Sequence, residues 1–220
     1  MRAIMETGFD VFYLIFVISM GLYLIKLDHE KSDSKLFGIM AVVLGVGDSF
    51  HLIPRIMALN TENGFEIYRT SLGMGKAITS ITMTGFYLIL YKIYKRRYGV
   101  EDKSMDKIIY LLAGLRVVIS LFPQNRWLDP VQPMAWSIYR NIPFALMGLI
   151  LIVLFYKKAG ENKDRAYKYM WLAISLSFAF YIPVVLWADQ YPLVGLLMIP
   201  KTMAYIWVVL MGYKDYKMKK

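Results

Sequence analysis

The run Gly47-Asp48-Ser49-Phe50-His51-Leu52-Ile53-Pro54-Arg55 spaces an acid, an imidazole and a guanidinium by three, four and seven residues. On a helix those spacings put all three side chains on one face. A carboxyl one turn from a histidine can fix the imidazole tautomer or stabilise an imidazolium. Such a pair suits general acid and general base work, or a proton relay. An arginine beyond it suits a phosphate or carboxylate. Ser49 leaves that face by roughly 100°, so the run does not form a Ser-His-Asp triad. Four more bases, Lys76, Arg116, Arg140 and Lys201, each fall in a different apolar stretch. The sequence predicts that they converge with Asp48, His51 and Arg55 on one polar pocket.

Neutral polar groups extend that expectation. Thr79 and Ser80 follow Lys76 at helical spacing, Tyr205 lies one turn beyond Lys201, and Tyr181 flanks Pro183. Charge balance then points to a ligand. One deep acid, Asp48, faces three deep bases, Lys76, Arg116 and Lys201. Buried unpaired charge is expensive, so an anion should complete the site: a phosphate headgroup, a carboxylate or a bulk anion. Arg55, Arg69 and Arg140 stand near segment edges, where long basic side chains can instead snorkel to the interface. A buried salt-bridge network that only holds helices together is the competing structural reading.

The elements that would position these residues are membrane helices. The chain has 220 residues, 58% of them hydrophobic, against about 45–50% in soluble domains. Its mean hydropathy is +0.45. This composition fits an all-α, multi-pass protein of the cell membrane. Seven stretches, 8–27, 35–59, 66–92, 107–123, 136–156, 167–188 and 193–213, are each about long enough to cross the hydrocarbon. They leave too little polar sequence for a second domain, so residues 1–220 are expected to form one seven-helix bundle. Arg2 is followed by Glu6 and Asp10, so the first stretch reads as a retained helix rather than a cleaved signal.

Lysine and arginine crowd the loops near 26–35, 92–107 and 157–168 and the segment 214–220, whereas the opposite loops hold little beyond Arg2 and Arg126. The positive-inside rule then puts the N-terminus outside and the C-terminus in the cytoplasm. This bias accounts for most of the net charge of +10, and no nucleic-acid partner is needed; membrane lipids and a small anionic ligand are the expected partners. Trp127, Trp136, Trp187 and Tyr191 fall at the outer edge as interfacial aromatics. His29 sits in a charged inner loop and Asp189 in an outer turn. Four Ile-Pro pairs, at Pro54, Pro143, Pro183 and Pro200, fall in the outer halves of their spans. Kinks there would open a vestibule. With no cysteine and two histidines, neither a protein-built zinc site nor another cofactor is expected. Nothing in the pattern specifies an oligomeric state.

The run Gly47-Asp48-x-x-x-Leu52-Ile53-Pro54-Arg55 resembles the Gly-Asp-x-x-x-Leu-Leu-Pro-Arg-like segment of the bacterial lysoplasmalogenase family. Gly75, Ser80 and Tyr87 also recur at similar offsets, and Ala204 to Met211 is similar to that family's last span. The resemblance covers about a third of the chain. It implies a membrane hydrolase that cleaves the vinyl-ether bond of lysoplasmalogens, with Asp48 as the acid. His51 would activate water, and Arg55, Lys76, Arg116 and Lys201 would bind phosphate. Ile81 stands where the family tends to carry a histidine, and its late intramembrane carboxylate has no counterpart. Lys201 and Tyr205 occupy the places of the His-x-x-x-His pair of the related zinc hydrolases. Two other functions fit the same residues: an anion or proton-coupled carrier using Asp48 and His51 as the relay, and a retinal-type or other seven-helix sensor with Lys201 as the attachment point.

Overall fold

The computed structural model describes residues 2–27, 33–129, 131–188 and 190–220. His29 and Asp189, read above as loop residues, lie outside the described residues. The order is α1 (Arg2–Lys26), α2 (Ser34–Leu59), a single turn α3 (Gly64–Ile67), α4 (Arg69–Tyr98), α5 (Lys103–Leu121), α6 (Met134–Glu161), α7 (Met170–Trp187) and α8 (Met198–Lys219). Two short 3-10 turns, Pro123–Asn125 and Pro192–Leu197, precede α6 and α8. Among the described residues there is no strand.

Five helices are long and apolar enough to cross a membrane: α1, α2, α6, α7 and the segment Leu193–Lys219 containing α8. The other two long helices miss that standard for readable reasons. In α4, Lys76 and a run of Thr, Ser and Gly dilute the apolar residues. In α5, Asp106, Lys107 and Arg116 fall within one short helix.

Helix boundaries follow local chemistry. The polar stretch from Lys95 to Lys107 reads as a loop by composition, yet α4 runs through it to Tyr98. Only residues 99–102 turn, and Asp102 then caps α5 by accepting from the N–H groups of Ser104 and Met105 at 2.9 and 3.0 Å. Pro54, Pro143 and Pro183 lie inside helices as the sequence suggests. Pro200 does not. The 3-10 turn ends at Leu197, so Pro200 sits in the first turn of α8, where its missing N–H has no helical partner to lose.

Successive long helices pack side by side, and α8 closes back on α1 and α2. The tightest crossing is α2 on α4. A side chain at Gly47 would overlap Thr82, and one at Gly75 would overlap the backbone of Phe50 and His51. Both glycines therefore serve close approach. Tyr87 meets Phe144 and Phe178 edge to face, and those two rings pack tilted against each other. The polar cluster described next is built around them.

Candidate functional site

The site begins at the α1–α2 contact. Glu6, Asp10 and Tyr13 repeat at four and three residues on the buried face of α1, with 4%, 8% and 0% exposure. They oppose Arg55, Asp48 and their neighbours on α2. Tyr13 donates its hydroxyl to Asp48 Oδ2 at 2.6 Å. Arg55 donates to Glu6 Oε2 at 2.6 Å. Asp10 is electrostatically coupled to Arg55, Glu6 and Asp48, and its Oδ2 is buried without a hydrogen-bond partner. Sequence reasoning used Glu6 and Asp10 only to dismiss a signal peptide and passed over Tyr13. The signal was present: spacings of four and three on α1 mirror those of three and four on α2.

Lys201, from α8, is the cation that acts on Asp48. It makes no direct ion pair with Asp48 among the described residues. Its ammonium instead rests over the rings of Tyr181 and Tyr205, at 4.7 and 5.3 Å from their centroids. Tyr205 lies beside Tyr87 and Ser177, whose hydroxyls are 3.4 Å apart.

Arg116, from α5, completes the group and is 2% exposed. Its Nε donates to the Ser80 carbonyl at 3.2 Å and its Nη1 to Asn141 Oδ1 at 3.2 Å. The Tyr181 hydroxyl lies within its electrostatic reach and donates to the same Asn141 Oδ1 at 2.9 Å. The guanidinium carbon stands 3.6 Å from the Phe144 ring centroid. Every partner is neutral; among the described residues no carboxylate touches Arg116. Guanidinium does not shed its proton in proteins, so a full positive charge is held here by two carbonyl oxygens and a π face.

The structure thus brings together Asp48, Arg116, Tyr181, Lys201 and Tyr205 as the sequence predicts. The remaining predicted residues take other places. His51 does not hydrogen-bond Asp48; its Nδ1 lies 3.3 Å from the Leu72 carbonyl. A carbonyl only accepts, so Nδ1 carries the hydrogen and a neutral ring keeps Nε2 as a free base. Ser49 donates to Val46 O and is not a nucleophile in register. Lys76 is exposed and acts electrostatically on His51. Thr79 donates to the Gly47 carbonyl at 3.2 Å, so it fastens α4 to α2. Ser80 serves through its backbone carbonyl. Arg140, 8% exposed, donates to Asn125 Oδ1 at 3.0 Å and lies over Trp127. It anchors the loop between α5 and α6.

The charge balance changes accordingly. The lone acid inferred from sequence is joined by Glu6 and Asp10, so the positive surplus is smaller than the sequence implies. What survives is local and sits on Arg116. Among the described residues no three His, Asp or Glu side chains gather as a metal-holding set. No protein-family model matches the chain, and neither a curated protein nor a solved structure is similar to it.

Proposed function

We propose that the chain recognises an anionic lipid within the membrane, with Arg116 and Lys201 receiving the charged head. The carrying observation is the buried Arg116 guanidinium with only neutral partners. An uncompensated buried charge is costly, and a ligand phosphate or carboxylate relieves that cost. The proposed setting is a bundle in which α4 and α5 also span, with the N-terminus outside, because lysine and arginine crowd the opposite loops.

The sharpest version is hydrolysis of a lysophospholipid, as the resemblance of the Gly47–Arg55 run implies. Asp48 would deliver a proton to the vinyl carbon remote from the ether oxygen. His51, through Nε2, would take one from the water that adds to the carbon bonded to oxygen, forming a hemiacetal. Its bond to the glycerol oxygen would then break as that oxygen takes the proton from His51 and the hemiacetal hydroxyl returns one to Asp48, leaving an aldehyde and the free glycerol hydroxyl.

A second reading draws on Asp10. Its unpartnered carboxyl oxygen lies close enough to Asp48 to feel its charge, and Glu6 continues the row toward the N-terminal end. A row of intramembrane carboxyls suits proton movement, and so a proton-coupled anion carrier.

Native mass spectrometry of detergent-purified protein tests the main reading. A co-purified anionic single-chain lipid that disappears in Arg116→Met is the expected result. A wild-type protein that carries no such lipid and takes none up when it is added would end the proposal. Anion uptake by vesicles driven by a proton gradient would move the assignment to the carrier.

A further inference from the structure

A groove of about 200 Å³ runs along the outer seam of α6 and α7. Its walls include Ile138, Ile142, Ala145, Ile182, Val185 and Leu186, and Asn141 and Tyr181 also line it. Both helices are long and apolar enough to cross a membrane, and Ile142 and Ile182 are 49% and 46% exposed. In a bilayer this groove faces acyl chains. Its polar residues are unlike its walls: the Asn141 amide oxygen accepts from the Arg116 guanidinium and from the Tyr181 hydroxyl, and Tyr181 carries Lys201 on its ring. One amide and one phenol therefore separate a lipid-facing groove from the two buried cations.

We infer that this groove is the lateral binding site for the acyl chain of a lysophospholipid, with Asn141 and Tyr181 as the gate through which its phosphate reaches Arg116 and Lys201. The inference rests on the anionic-lipid reading above and adds the route by which the lipid enters. Two observations commit it to this occupant. The walls are apolar, so they take a hydrocarbon chain. Directly behind them, the Asn141 amide is bonded to a cation that no carboxylate touches among the described residues, which selects an anionic head. Asn141 Oδ1 accepts from both Arg116 and Tyr181, so an incoming phosphate oxygen can take over both donors when the amide turns aside. Pro143 and Pro183 interrupt the two wall helices beside the gate, and each removes a backbone N–H donor there.

The test uses the full chain in nanodiscs and a lysophospholipid bearing a photoreactive diazirine midway along its chain. Crosslinked positions are mapped by mass spectrometry, with unlabelled lysophospholipid as competitor. The expected result is saturable labelling of the α6 and α7 walls that falls at least about tenfold in Arg116→Gln, a change of about 1.4 kcal/mol in binding. Should Arg116→Gln fail to fold, Asn141→Asp serves instead. It sets a carboxylate against the guanidinium, so labelling should fall while the melting temperature holds or rises. Saturable labelling on other helices that still depends on Arg116 would overturn the groove but leave the anionic-lipid reading intact. Groove labelling that is unchanged in both variants would show ordinary lipid contact and overturn the coupling of groove to head site. No saturable labelling anywhere would remove both.

Discussion

Two ionic clusters occupy this bundle, and they are built on opposite rules. At the end where α8 finishes, every buried charge meets its opposite. Arg97 donates twice to Asp164, at 2.7 and 2.9 Å, and once to Asp215 at 2.6 Å. Lys219 reaches Asp215 at 3.1 Å, and Arg96 reaches Asp33 at 3.2 Å. Three bases thus face three acids. In the middle of the bundle, Arg116 is held by a carbonyl, an amide and the face of a phenylalanine, and Lys201 rests on two tyrosine rings. A closed set of pairs joins α2, α4, α8 and the α6–α7 turn. It has no capacity left for a ligand and acts as a clasp. A cation with neutral partners still has its strongest interaction to make.

The contrast is sharpest in stability. Asp164→Ala should be the most damaging change, because it strips Arg97 of a bidentate partner and removes the acceptor for the Ala166 and Tyr167 N–H groups. Breaking one side of a buried pair costs about 3–5 kcal/mol, so the melting temperature in detergent should drop well below that of any mid-bundle variant. An equal drop for Arg116→Met would erase the distinction between the two clusters.

Asp48→Asn comes next, and its effect should appear in chemistry. It keeps the size and the acceptor for Tyr13 but removes the acid. If Asp48 is the proton donor, lysoplasmalogen cleavage should fall about 10²-fold or more, the usual scale for an acid–base group, while folding survives. Unchanged cleavage together with tighter anion binding would reduce Asp48 to a counter-charge for Lys201.

Arg116→Met should do least to the fold. The guanidinium gives up no carboxylate, and an apolar side chain of similar length suits its place against Phe144. Replacing buried charge with packed apolar groups is often neutral or stabilising, by about 1–4 kcal/mol. The expected outcome is an unchanged or raised melting temperature with loss of the anionic lipid. A marked loss of stability would make Arg116 a structural residue.

The smallest effect concerns acid. Burial acts to raise the Asp164 pKa, but the Arg97 bonds and the N–H groups of Tyr167 and Ala166 outweigh it and hold the carboxyl below its usual range. A depressed pKa contributes stability above the unfolded value of 3.8, and that share is lost as pH falls through the lower folded value. Burial holds Asp33 above the usual range despite Arg96, so protonating it relieves a cost and works in the opposite direction. Melting temperature should therefore decline gently as pH drops below about 4, and Asp164→Asn should flatten that decline. A steeper acid limb in the variant would assign the acid sensitivity elsewhere.

Much of this was legible along the chain because helices impose a period. Apolar length identified five membrane-long helices, while α4 and α5, counted with them to make seven, fall short of that standard, and the three-four-seven spacing put Asp48, His51 and Arg55 on one face of α2. Single-base interruptions of apolar stretches marked Arg116 and Lys201, which the fold buries, and equally Lys76, which it leaves exposed. Composition misled at Lys95–Lys107, where charged residues continue a helix because paired acids, Asp106 for Lys95 and Asp164 for Arg97, neutralise them. Which partner each charge takes depends on helix rotation and crossing, and no one-dimensional pattern carries those. Rotation of α1 delivers Tyr13 to Asp48, and the close α2–α4 crossing at Gly47 and Gly75 gives His51 to the Leu72 carbonyl. Packing of α5 against α6 gives Arg116 an amide in place of an acid. The sequence thus determined that charges would be buried, and tertiary packing decided which of them were left unpaired.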